Sequence, residues 1–143
     1  MEALGRVINI QSAMDGVYVN LRDAAAVTFV GYLGGAAGDT YTLQEATSAA
    51  GAGAQNLATI TRYHTNTGNG SDAWTVRTQA AAATVVAAAA ATQQQVVFTV
   101  GADKLSDGFK FLKVTSTGAG TVTAILHDLE VQRKASNLPA IGV

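Results

Sequence analysis

Apolar and polar residues alternate along this chain with a period of two, the signature of strands buried on one side. Val17, Val19 and Leu21 alternate with Tyr18 and Asn20. Val27, Phe29 and Leu33 share a face through Gly31, and Tyr41 and Leu43 alternate with Thr40, Thr42 and Gln44. Further on, Trp74 and Val76 alternate with Thr75 and Arg77, and Val96, Phe98 and Val100 repeat the pattern. Reversal signals at Asp15-Gly16, Gly38-Asp39, Asn66 to Gly70, Asp107-Gly108 and Gly118 to Gly120 cut these runs into short pieces. Strands are expected near 5–12, 16–21, 26–33, 39–45, 57–64, 73–79, 95–100 and 109–117, with a longer one over 121–132. Such a succession predicts an all-β, single-domain antiparallel β-sandwich or jelly-roll-like fold over residues 1–143. It would carry extended termini, an arm at 1–6 and a tail at 133–143, and at most one short helix.

Two stretches fit the alternation poorly. Ala80 to Ala91 has high helix propensity without an amphipathic stripe. It reads either as a short helix or as a closely packed strand where only methyl groups fit. Ala102 to Ser106 reads as a single helical turn.

Composition narrows the range of functions. At 143 residues the chain has the length of one domain. Charged residues are 13% of it, about half the usual share, and the net charge is -1. No basic field exists for wrapping nucleic acid, so a nucleic-acid partner is not expected. There are no cysteines, which removes disulfides, thiolate chemistry and cysteine-ligated metals. MEALGRVINIQS has no basic region leading into an apolar one and does not read as a secretion signal. The apolar run from Ala80 to Thr92 is too short for a helical span, so a soluble chain without membrane contact is expected.

Candidate chemistry is sparse. Gly51-Ala52-Gly53, in LQEATSAAGAGAQNL, resembles the start of a phosphate-binding turn, but Asn56 stands where the third glycine belongs and a strand follows instead of a helix. The reading that remains is a small-residue packing loop lying against a neighbouring surface. His64 has no second ligand at metal spacing, and His127 and Asp128 point to opposite faces of a strand. No serine sits in a nucleophile elbow. Asp103 and Asp107 suit capping and turn roles. Asn66 to Asp72 lacks the acidic alternation of a calcium loop and reads as a mobile hairpin loop. Trp74, at an alternating position, is expected in the core. Neither cofactor nor metal nor catalytic residue is indicated, and the expectation is a protein that is not an enzyme.

Three segments, FVGYLGGAAGDTYTLQEATSAAGAGAQNL, DGFKFLKVTSTGAG and AILHDLEVQRKASNLPA, together resemble the small decoration, or cement, proteins that coat the heads of some tailed bacteriophages. Those proteins share a strand ending in an LQEA-like sequence, an Ala-Gly-rich turn, and a last strand with a charged patch and a proline-bearing tail. The resemblance implies a structural virion protein on the outer capsid surface, made in the host cytoplasm. It would act as a homotrimer that bridges subunits of the major capsid protein. On that reading Met1, Leu4 and Arg6 of the arm and Arg133, Lys134, Leu138, Pro139 and Ile141 of the tail are the candidate capsid or subunit contacts. Ala80 to Ala91 would pack between subunits. The alternatives are another phage structural part (tail-tube, head-completion or fibre-base) and a carbohydrate-binding β-sandwich that uses Trp74 and the tyrosines.

Overall fold

The structure, a computed structural model, describes residues 9–35, 37–129 and 140–143. Within them the chain forms eleven strands: β1 (Ile10–Gln11), β2 (Val19–Asn20), β3 (Ala24–Tyr32), β4 (Asp39–Ala46), β5 (Gln55–Asn56), β6 (Ile60–Asn66), β7 (Thr75–Ala82), β8 (Thr84–Ala87), β9 (Gln95–Gly101), β10 (Phe111–Ser116) and β11 (Thr121–Leu129). One sheet runs β1-β11-β3-β9-β6-β7. The other runs β2-β10-β4-β5, with β8 also paired to β4. Every pairing between named strands is antiparallel. The architecture is the β-sandwich that the alternation predicts.

The inner faces of both sheets meet in one core. Val27, Phe29, Val96, Phe98, Val100, Val122 and Ala124 come from the six-stranded sheet, and Val19, Tyr41, Leu43, Val85, Leu112 and Val114 come from the other. Register places Phe29 opposite Phe98, with ring centroids 5.8 Å apart and planes tilted by 38°. Such a pair contributes about 1 kcal/mol beyond the area it buries. Between the sheets the Tyr41 ring lies directly on the backbone of Gly31, where a Cβ would collide with the ring. A glycine inside a strand marks this kind of close approach.

The alanine-rich segment is extended, which decides between the two readings of it. The chain leaves the first sheet at Ala82 and joins the second at Thr84, so Ala80 to Ala87 forms a corner between layers. The Gln79 amide braces this corner by donating to the carbonyls of Ile60 (3.0 Å) and Thr84 (2.8 Å). Among the described residues there is no α-helix. 3-10 turns lie at Ala91–Gln93 and at Ala102–Lys104, the second where a single helical turn is expected.

The Gly51-Ala52-Gly53 stretch closes a compact turn. Thr47 N–H donates to the Ala52 carbonyl at 3.0 Å, and Gly51 and Gly53 take φ of 82° and 65°. The surface beneath the turn belongs to the same chain: a Cβ on Gly51 would come within 2.9 Å of the Tyr18 ring. Tyr18, Ala46 and Phe111 form a second, small apolar cluster there, and Lys113 Nζ sits 4.7 Å from the centre of the Tyr18 ring.

Candidate functional site

The polar side chains fall into two groups, and the first is consumed by the fold. Asp39 opens β4 and is 5% exposed. Its Oδ1 accepts from the backbone N–H groups of Thr40 (2.7 Å), Thr117 (2.9 Å) and Gly118 (2.8 Å) and from the Thr117 hydroxyl (3.0 Å). Its Oδ2 accepts from Ser116 Oγ at 2.6 Å. The carboxylate therefore organises the turn between β10 and β11. Burial by itself would raise its pKa, but the donors from Ser116, Gly118, Thr117 and Thr40 together outweigh that and hold it below the ordinary value. The Tyr41 hydroxyl is buried without a hydrogen bond of ordinary geometry. Burial first, then the nearby Asp39 and Asp15 carboxylates, keep its pKa well above the usual tyrosine range.

Glu45, near the other end of β4, is 1% exposed. It accepts from Gln55 Nε2 (2.7 Å), from the Ser106 hydroxyl (2.5 Å) and from the Ser106 backbone N–H (2.8 Å). Again burial pushes the pKa up and the donors, led by the Ser106 hydroxyl and then Gln55, bring it down below its ordinary value. Both carboxylates are charged, fully coordinated fasteners with little capacity left to move a proton. Asp72 closes the Asn66–Asp72 loop in the same manner, accepting from the Thr67 hydroxyl (2.6 Å) and backbone N–H (3.1 Å). The loop expected to be mobile carries internal hydrogen bonds, with Asn69 Oδ1 accepting from the Ser71 N–H and Asn66 Oδ1 from the Gly68 N–H.

The second group lies on the outer face of the six-stranded sheet, where Tyr32 and Trp74 are exposed and Asn66 is buried. Register runs from Tyr32 on β3 to Gln95 on β9 and from Gln95 to Asn66 on β6. The Thr65–Thr75 pair then places Trp74 beside Asn66, just ahead of β7. Trp74 is 47% exposed and Tyr32 41%. The expectation that Trp74 belongs to the core is thus corrected. β7 is an outermost strand, so alternation there sorts residues between two faces of which neither is deeply covered. His64 and Val76 occupy the next row of the same face, and Val76 is 50% exposed. His127 also lies on this face, with Nε2 3.0 Å from Thr28 Oγ1.

Of the sequence-derived contact residues, Met1, Leu4, Arg6, Arg133, Lys134, Leu138 and Pro139 lie outside the described residues. Ile141 is partly buried against the chain's own core, and its carbonyl accepts from the Asn20 backbone N–H at 2.7 Å. Asn20 Nδ2 donates to the Val143 carbonyl at 2.7 Å, so residues 140–143 run beside β2.

Among the described residues no group of three or more His, Asp or Glu side chains is placed to hold a metal ion. No helix among them is long and apolar enough to cross a membrane. No family model matches the chain, and neither a curated protein nor a solved structure does.

Proposed function

We propose that this chain is a structural virion protein that decorates and stabilises the outside of an icosahedral phage capsid by bridging major capsid protein subunits, acting as a homotrimer. One observation carries the reading. Of the three segments that resemble decoration proteins, the first supplies the end of β3 and all of β4 and the second supplies β10, and β4 pairs with β10 from Tyr41 to Ala46. The third supplies Ala124–Leu129 of β11 and meets the first where Phe29 pairs with Ala124. The likeness therefore includes one complete strand pair of the smaller sheet, β4 with β10. The chain's buried carboxylates are engaged as fasteners, which also suits a protein that acts through its surface.

Copy number tests this reading. Quantitative gels and an image reconstruction of purified particles are expected to show hundreds of copies per particle on the outer shell. A dozen copies in a single ring would point to a head–tail component, and absence from the shell would refute decoration. Deleting residues 135–143 is expected to lower capsid occupancy, and unchanged occupancy would remove the tail from the docking surface.

The carbohydrate-binding alternative gains from one specific finding, the exposure of Trp74.

A further inference from the structure

We propose that Tyr32 and Trp74, with the Gln95 amide between them, form a binding platform for a neutral oligosaccharide, with the buried Asn66 lying beneath it. The inference does not depend on the capsid reading.

Tyr32 ends β3 and Trp74 immediately precedes β7, and β9 and β6 lie between, so three inter-strand steps of about 4.8 Å put the two residues roughly 14 Å apart, the span of a short glycan. The Tyr32 ring lies against the main chain of Gly68: a Cβ there would stand 2.8 Å from Tyr32 Cδ2 and 3.2 Å from Gln95 Cβ. Gly68 has φ of 73°, and its N–H is fixed to Asn66 Oδ1 at 2.9 Å. The loop thus holds one edge of the ring, and Gly34 lies beside the other, where a Cβ would stand 3.4 Å from Tyr32 Cε1; the residue is still 41% exposed. A ring held in this way loses little freedom when a flat ligand stacks on it.

The groups between the rings supply the second half of the chemistry. The Gln95 amide, the Tyr32 hydroxyl and Trp74 Nε1–H have no hydrogen-bond partner among the described residues. They offer donors and acceptors on the same face as the rings. A sugar presents this combination in reverse, with an apolar C–H face and a rim of hydroxyls. The row contains no charged side chain, and Asp72, in the adjoining loop, is engaged by Thr67. Nothing in the row would hold an acidic or basic ligand, so the fit is to a neutral one. A protein-binding hot spot instead rings its aromatic anchors with contacts that exclude water; here amides separate them.

The chain has a single tryptophan, so its emission reports on the platform directly. The full-length protein is titrated with cello-oligosaccharides, laminari-oligosaccharides and manno-oligosaccharides, and run in native gels containing dextran, laminarin or galactomannan. At least one of these neutral glycans is expected to shift Trp74 emission saturably and to retard the protein. Trp74→Ala should weaken that retardation at least about tenfold, Trp74→Phe should recover part of it, and Tyr32→Ala should weaken it separately. Circular dichroism establishes that each variant is folded. Retardation that survives Trp74→Ala overturns the site. So does the absence of any shift or retardation across the panel. An emission shift produced only by self-association or by capsid shells would reassign the row to protein contact and equally overturn the proposal.

Discussion

The pin at Asp39 and the row from Tyr32 to Trp74 use similar polar chemistry for opposite ends. At Asp39, five donors converge on two oxygens and the group is sealed from water. In the row, two rings and an amide stand open with no partner of their own. Hydrogen-bonding capacity that holds the fold together is unavailable to a ligand, and capacity left open adds little to stability. The difference separates residues that keep this chain folded from residues that face its surroundings.

The largest effect that would sharpen this contrast is at Asp39. Asp39→Ala removes the shared acceptor of five donors and leaves the Thr40, Thr117 and Gly118 N–H groups and the Ser116 hydroxyl with only longer bonds. Urea unfolding followed by circular dichroism should show a loss of roughly 3 kcal/mol. Glu45→Gln keeps the shape but sets an amide against the Ser106 donors, and about 1.5 kcal/mol is expected in the same measurement. Acid should act on both pins together. Each folded pKa lies below its unfolded value, so their stabilisation is complete above about pH 5 and is lost as pH falls through the lower folded values. Thermal melts from pH 6 to pH 2 should fall steeply in the wild type and more shallowly in Asp39→Ala. The smallest effect belongs to the open row: Trp74→Ala should change stability by no more than about 0.5 kcal/mol. A loss there as large as that of Glu45→Gln would break the distinction.

Much of this architecture is legible in the sequence because each inner face repeats every second residue. Val27 and Phe29, Tyr41 and Leu43, and Val96, Phe98 and Val100 all reach the core as their spacing implies. The fasteners are not legible. Ser116 lies 77 residues from Asp39 and Ser106 lies 61 from Glu45, and no local pattern links them. Both carboxylates do occupy the inward-facing register of β4 with Tyr41 and Leu43, which is the one signal that could have marked them. Trp74 misleads for a different reason: alternation reports which face a residue takes, and whether that face is covered depends on strand order. The alanine corner is ambiguous because a methyl side chain records neither a helical stripe nor a strand face.

The contact between Gly31 and Tyr41 carries a consequence for how this sequence can drift. The two residues belong to different sheets, and the ring occupies the space that any side chain at position 31 would need. Neither position is free to change alone in the direction of greater bulk. A descendant sequence with alanine or serine at 31 is expected to carry a smaller residue at 41, so the pair should vary jointly among divergent copies of this domain. Ten positions apart in sequence, they form a lock whose two halves inheritance must alter together.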